Sequence, residues 1–252
     1  MRAQVEAETH AKVDETGWKQ AGERRWLWAA VTALCTLFVV AKNRSAAVLV
    51  TLLGETFDGV VSSDRFKAYL SIPIERRQIC WAHLKRNLVV FAERGGEIGD
   101  WGTEAVGVVE KVFAAWYRYR DRGGDRAQLQ AEMAVLRAQM QTLWERGMTL
   151  PSWMVRALCN DVRKLEPALW TFVTVVGVEP TNNAAERALR PAVLWRKGCF
   201  GADSPAGNTF VAQILTASTT CRQQKRHLLA YLTSAVIAYR DGQSAPSLLP
   251  TP

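Results

Sequence analysis

Cysteine and histidine are scarce in this sequence. The five cysteines are scattered without a Cys-x-x-Cys pair, and only three histidines occur among the 252 residues. An odd number of cysteines without paired spacing argues against the disulfide framework of a secreted protein and favours a reducing, cytoplasmic compartment. A zinc site of cysteine and histidine ligands would also require more soft ligands than the chain clusters.

A hydrophobic run long enough to cross a membrane is also missing. Residues 26–41 are almost wholly apolar, but they fall short of the ~20 residues that a membrane helix requires, and threonine and cysteine interrupt them. The run also lies too far from the amino terminus, behind too many acids, for an ordinary signal peptide. Two adjacent buried strands that turn near residues 33–35 explain its composition better. We therefore expect no membrane partner.

Positive charge is what the sequence has in excess. Its 32 Lys and Arg residues against 24 Asp and Glu residues give a net charge of +8 and an isoelectric point near 9.5. Residues 151–252 carry most of the excess, with 11 basic and 6 acidic side chains. Taken alone, such a charge balance indicates an anionic partner, either nucleic acid or a membrane surface, without choosing between them.

The hydrophobic pattern predicts an α/β beginning followed by a helical block. A strand near residues 12–18, the two apolar strands, a helix over 45–53 and a strand over 59–64 come first, before a further strand that leads into a helix. Helical spacing then dominates to residue 164, with a break at residues 123–124 that is typical of a helical hairpin. The sequence shows no internal repeat.

Three acids occupy positions in this pattern where they could meet. Asp14 lies in the first strand, Asp64 ends the strand after the first helix, and Glu186 lies in the first turns of a helix beyond the helical block. Singly, each has a structural explanation: a turn acid, a cap, or an acid that complements a helix dipole. In an RNase H-like sheet, however, such positions can converge at one edge. Convergent carboxylates supply the hard oxygen ligands of Mg²⁺, and two such ions promote phosphodiester displacement.

Several stretches of the sequence carry a resemblance to a known family. The motif V-E-P-T-N-N-A-A-E-R-A-L-R-P-A-V-L-W-R-K, residues 178–197, resembles the catalytic domain of bacterial DDE transposases of the insertion-sequence sixty-six family. The resemblance implies an α/β, RNase H-like fold, a mixed sheet flanked by helices, with an all-α insertion before the last catalytic helix. It also covers residues 13–18, 59–69, 78–86, 164–170, 220–226 and 247–250.

The resemblance also assigns parts to the chain. It implies an RNase H-like catalytic core in two pieces, with a helical insertion between them and the glutamate helix and a C-terminal helix in the second piece. The predicted parts are residues 1–97 for the first piece, 98–165 for the insertion, 166–240 for the second piece and 241–252 for a C-terminal tail.

By the same resemblance, Asp14, Asp64 and Glu186 are the catalytic and metal-binding residues of a DDE triad. The implied cofactor is Mg²⁺, with Mn²⁺ as a substitute. The implied activity is hydrolysis at transposon ends, followed by attack of the freed 3′-OH on target DNA. The implied partners are therefore transposon-end and target DNA, bound by a homo-oligomer in the cytoplasm and associated with the nucleoid.

Basic residues on the helix of Glu186 complete the predicted site. Arg187 and Arg190 are three residues apart and share a helix face, where they are predicted to bind DNA phosphates. Salt bridges on a solvated face are the alternative. Trp195 could stack on an unpaired base, but a buried core position is favoured. The predicted DNA-binding residues are Arg187, Arg190, Arg196 and Lys197.

Two pairs of residues are predicted to support the site. Asn182 and Asn183 are the first pair, and Thr181, Asn182 or Asn183 begins the helix that carries Glu186. Cys80 and His83 form a Cys-x-x-His at a strand-to-helix junction, which does not indicate zinc without a second pair. Two roles for His83 stay open: approach to the scissile phosphate or support of the active-site fold, and packing as a structural histidine.

Two alternatives to an active transposase stay open. Family members usually carry a helix-turn-helix and a cysteine-rich zinc-binding region before the catalytic domain, whereas Asp14 lies near the start of this chain. The first alternative is a truncated or catalytically silent remnant that binds DNA or a partner. The second is a stand-alone nuclease of the RNase H class. Metal-dependent nicking and the joining of a 3′-OH end to target DNA distinguish these hypotheses.

Overall fold

A computed structural model describes residues 1–249, which divide into two compact units. The first unit comprises Met1–Ile72 and the described residues from Asn182 onwards, and the second comprises Pro73–Thr181. The predicted helical insertion, 98–165, lies within the second unit, whereas residues 250–252 of the predicted tail lie outside the described residues. In chain order the elements are α1 (Arg2–Glu6), β1 (His10–Gln20), β2 (Glu23–Val31), β3 (Thr36–Ala41), α2 (Ala46–Leu53), β4 (Val60–Ser63), β5 (Arg77–Ile79), α3 (Trp81–Ala92), α4 (Gly96–Arg122), α5 (Arg126–Thr149), α6 (Trp153–Lys164), α7 (Glu166–Leu169), α8 (Thr171–Thr174), α9 (Asn183–Cys199), α10 (Pro205–Gln223) and α11 (Leu228–Arg240).

The sheet of the first unit is mixed. β1 pairs antiparallel with β2, β2 pairs antiparallel with β3, and β4 joins the other side of β1 in parallel, so that the order is β3-β2-β1-β4. A two-residue turn at Ala21 and Gly22, with φ of 49° and 80°, joins β1 to β2 and suits the twist of a hairpin. The mixed sheet with flanking helices confirms the predicted α/β class, and its strand order is consistent with an RNase H-like fold.

The apolar run at residues 26–41 forms most of β2 and all of β3. The prediction of two adjacent strands is therefore confirmed. Their many branched and aromatic side chains suit a sheet that is covered on both faces, because such side chains pack well on a pleated surface. Among the described residues, no helix is both long and apolar enough to cross a membrane.

Each face of this sheet packs against helices of the first unit. On one face, Val13 of β1 belongs to a buried cluster with Leu52 of α2. On the other face, Trp18 of β1 packs in a second cluster with Leu189 of α9 and Leu215 of α10. Truncating any one of these three leucines to alanine is expected to cost about 2–5 kcal/mol, because the truncation leaves a cavity in a packed core. The two cores hold the strands and helices that carry the acids.

A helix covers the edge strand β3. The backbone N–H groups of Thr36 and Phe38 donate to the hydroxyl oxygens of Thr220 and Thr216, at 3.1 and 3.0 Å. The two threonines are four residues apart on α10 and therefore lie on one helix face. Two donors of the strand are thus satisfied within the unit, which protects this edge against pairing with another chain.

Two long helices dominate the second unit and form the predicted helical hairpin. Gly123, with φ of 63°, ends α4 in the left-handed conformation, and the side chain of Asp125 caps the start of α5. Between the helices, the rings of Trp101 and Trp144 lie 6.3 Å apart, and the Trp101 indole donates to the Leu143 carbonyl at 2.8 Å. These aromatics are core residues.

Candidate active site

The three predicted catalytic acids all lie in the first unit. Asp14 is on β1, Asp64 follows the last residue of β4, and Glu186 is in the first turn of α9. β1 and β4 are parallel neighbours, with Lys12 opposite Ser62. Extending this register by two residues places Asp14 beside Asp64, so the strand pairing alone brings two of the acids together.

The alternation of β1 turns Asp14 toward α9. Asp14 is opposite Ala29 on β2, and Ala29 belongs to the buried cluster that contains Ala188 of α9. Since directly opposed residues of paired strands project to the same face, Asp14 lies on the α9 side of the sheet. Small side chains on the inner face of α9, such as Ala185 and Ala188, allow the helix to approach the strand.

The surroundings of Asp14 disfavour its charge. Burial and the negative charges of Glu15, Asp64 and Glu186 together raise the pKa of Asp14 to about 7, although the N–H of Glu15, which donates to Asp14 Oδ1 at 2.9 Å, opposes the rise. A cation placed among these carboxylates would relieve both the burial of charge and the repulsion. The donor set therefore fits a hard divalent ion such as Mg²⁺.

The acids are neighbours, but they do not form a closed shell around one point. Among the described residues, no three carboxylates bring one oxygen each within 4.8 Å of one another. The Asp64 carboxylate is fixed locally, because the N–H of Phe66 donates to its Oδ1 at 2.8 Å. Asp64 and Glu186 are both half-buried, so the cluster borders solvent.

Asn182 connects the glutamate helix to the aspartate strand. It is fully buried, and its Nδ2 donates to the carbonyl of Val13, the residue before Asp14, at 2.8 Å. The backbone carbonyl of Asn182 accepts hydrogen bonds from the N–H groups of Ala185 and Glu186 at 3.0 and 3.3 Å. The predicted helix start is confirmed, since Asn182 is the cap and Asn183 is the first residue of α9.

The four predicted DNA-binding residues differ in their surroundings. Arg187, Arg190 and Lys197 are exposed on α9. Arg190 is four residues beyond Glu186 and Lys197 is seven beyond Arg190, so they extend the Glu186 side of the helix. Arg196 instead is half-buried and donates to the Gly17 carbonyl and to Thr16 Oγ1, the latter at 3.3 Å. This arginine packs α9 against β1.

The expectation that Trp195 is buried in the core is wrong. Its side chain is 38% exposed, because it lies on the solvent side of the last turns of α9. Cys80 and His83 belong to the second unit: Cys80 is buried at the residue before α3, and His83 is half-buried in the first turn of that helix.

Sequence reasoning missed the acid whose side chain is buried beside Asp14. The side chain of Glu15 is only 1% exposed and forms an ion pair with Arg44, whose Nε donates to Oε1 at 2.7 Å. Tyr69 donates its hydroxyl to the other carboxylate oxygen at 2.5 Å. Burial raises the pKa of Glu15, and the hydrogen bonds from Tyr69 and Arg44 oppose the rise. The sequence signal was a second acid directly after Asp14 in the same strand.

Comparison with known proteins gives one family. The model for the transposase IS66 family matches residues 1–209. An uncharacterized protein of Sinorhizobium fredii, y4qI, is 24% identical over 207 residues, which cover 76% of this chain and 38% of that protein. The chain therefore spans about 38% of the length of this relative. No solved structure gives a significant match.

Proposed function

Since the chain belongs to the transposase IS66 family, we propose that its first unit carries the catalytic site of a DNA transposase. The proposed reactions are phosphodiester hydrolysis at transposon ends and transfer of the freed 3′-OH end to target DNA. The observation that supports this site most directly is the parallel register of β1 and β4, which brings Asp14 beside Asp64. After burial and Glu15, the charges of Asp64 and Glu186 also raise the pKa of Asp14. A cluster of like charges is unfavourable unless a cation or a reaction uses it.

Each residue has a definite part in the proposal. Asp14, Asp64 and Glu186 would hold Mg²⁺, or Mn²⁺ in its place. When bound, such ions supply Lewis-acid stabilisation to the attacking and leaving oxygens of the phosphodiester. Asp14 must lose its proton before it can act as a ligand. Asn182 keeps Glu186 beside β1 through its bond to the Val13 carbonyl.

The exposed basic residues would hold the DNA. Arg187 and Arg190 are placed to contact phosphates next to the acids, and Lys197 continues the same side of α9, where each contact would position the backbone without reading sequence. Arg196 would contribute by fixing the helix on β1. We further propose that DNA ends are paired by a homo-oligomer. The four-part division of the chain into residues 1–97, 98–165, 166–240 and 241–252 stays a prediction.

The proposal is tested by nicking of supercoiled DNA with the purified chain in Mn²⁺ or Mg²⁺. Asp64→Asn and Glu186→Gln are expected to reduce cleavage to background and to leave DNA binding largely intact, because each removes a metal ligand while keeping the shape of the side chain. Asp58→Asn is the matched control, since Asp58 is an exposed acid on the approach to β4.

The outcomes separate the candidate functions. Full cleavage in Asp64→Asn or Glu186→Gln would remove that residue from the catalytic role. DNA binding without metal-dependent cleavage by the wild-type chain would support the silent remnant. Cleavage without joining of a 3′-OH end to target DNA would support a stand-alone nuclease.

A further inference from the structure

A second polar cluster lies on the face of β1 opposite Asp14. Glu15 follows Asp14, so its side chain projects to the other side of the sheet, where Trp28 is its cross-strand partner. There Arg44 and Tyr69 donate to its two carboxylate oxygens. The carboxylate is therefore held at both oxygens inside the unit.

Arg44 makes more than an ion pair. Its guanidinium lies over the ring of Phe66, with the central carbon 3.5 Å from the ring centroid, and over the ring of Trp26 at 4.6 Å. A planar guanidinium can pair with a carboxylate in its plane and stack on aromatic rings through its faces at the same time. A lysine ammonium can keep the charge, but it offers no flat surface to the rings.

The stacked ring of Phe66 belongs to the loop that carries Asp64. The N–H of Phe66 donates to Asp64 Oδ1 at 2.8 Å, so the position of the Phe66 backbone determines where this carboxylate points. At the other end of the cluster, the N–H of Glu15 donates to Asp14 Oδ1 at 2.9 Å. A continuous series of contacts therefore runs from one acid to the other through Glu15, Arg44 and Phe66.

We propose that Arg44 is a positioning residue that sets the placement of Asp64 relative to Asp14. The ion pair fixes Arg44 to β1, and the stack fixes the loop after β4 to Arg44. The inference rests on the proposed function, because the placement matters most when the two carboxylates share divalent ions. Partners that orient metal ligands typically change metal affinity by ~10- to 100-fold when they are lost.

The test compares two arginines that stack on the same ring. The central guanidinium carbon of Arg24 lies 4.8 Å from the ring centroid of Trp26. Arg24 is exposed near the start of β2, so Arg24→Lys is the matched control for Arg44→Lys. Mn²⁺ affinity is measured by titration of the whole chain, and amide hydrogen exchange is measured over residues 64–66 in EDTA. We expect Arg44→Lys to weaken Mn²⁺ binding ~10-fold and to speed exchange at these amides. Arg24→Lys should change neither.

The two readouts distinguish this inference from the proposed function. Wild-type Mn²⁺ affinity in a folded Arg44→Lys variant would overturn the positioning role. If Asp64→Asn binds Mn²⁺ as tightly as the wild type, the proposed metal site is wrong, and exchange at residues 64–66 still decides whether Arg44 holds the loop. Should Arg44→Lys fail to fold, Phe66→Leu removes the stack and keeps both the ion pair and the backbone N–H. Unchanged Mn²⁺ affinity in that variant would equally overturn the proposal.

Discussion

Asp14 and Glu15 are adjacent acids on β1, and the two faces of the strand treat their carboxylates differently. On the Glu15 face, Arg44 and Tyr69 donate to the carboxylate, whose side chain is 1% exposed. At Asp14, burial and the charges of Glu15, Asp64 and Glu186 together raise the pKa to about 7. The fold supplies hydrogen-bond donors to the Glu15 carboxylate, which oppose the rise of its pKa on burial, and it places further acids beside Asp14.

This difference distinguishes an acid with a structural role from an acid with a functional role, without reference to homologues. A buried acid with an arginine partner contributes to a defined conformation. A half-buried acid among other acids lowers stability, so its presence indicates a ligand or a reaction that uses the charge. The two adjacent positions therefore predict opposite responses to the same chemical change, removal of a negative charge. The following variants test that contrast.

The largest effect is expected for Asp14→Asn at high pH. Since the pKa of Asp14 is raised from 3.8 to about 7 in the folded state, the folded wild type binds the extra proton between these values and loses stability as the pH rises through them. At pH 8 in EDTA, Asp14→Asn should therefore be more stable than the wild type by up to about 4 kcal/mol. At pH 4 the advantage should vanish. Urea unfolding at both pH values measures the difference.

The control for this prediction is Asp58→Asn. Since Asp58 is exposed, this variant should change the free energy of unfolding by less than about 0.5 kcal/mol at either pH. An Asp14→Asn variant that is equally or less stable than the wild type at pH 8 would contradict the view that the Asp14 charge is strained.

A smaller effect of opposite sign is expected for Glu15→Gln. The change leaves the Arg44 guanidinium without a counter-charge, and should lower the free energy of unfolding at pH 8 by about 1–3 kcal/mol; Arg44 is 26% exposed, so water compensates in part. Glu23→Gln is the matched control. The Glu23 side chain is 70% exposed, so its ion pair with Arg25 contributes little to stability. A stabilised Glu15→Gln variant would erase the contrast between the two faces of β1.

The local sequence pattern was sufficient to predict the helices and strands, but it was insufficient to predict the contacts between residues far apart in the chain. The strand β1, the apolar strands β2 and β3 and the polar start of α9 follow from neighbouring residues, and the structure confirms them. The pair between Glu15 and Arg44 joins residues 29 apart, and the bond from Asn182 to Val13 joins residues 169 apart. Such contacts depend on how the strands and helices pack. The exposure of Trp195 was mispredicted for the same reason, because an aromatic on a helix does not reveal which face the core covers.

The smallest effects are expected on α9, where two arginines repeat the contrast between structure and function. Arg196 donates to the Gly17 carbonyl and to Thr16, so Arg196→Gln should lower the free energy of unfolding by about 1 kcal/mol and leave the salt dependence of DNA binding unchanged. Arg190 is exposed, so Arg190→Gln should leave stability within about 0.5 kcal/mol and reduce the slope of log K against log salt by about 1, the loss of one phosphate contact. Chemical unfolding and DNA titrations at several salt concentrations measure both quantities for both variants. If Arg196→Gln reduced the slope as much as Arg190→Gln at unchanged stability, the bond to β1 would be incidental and Arg196 would join the DNA-binding residues.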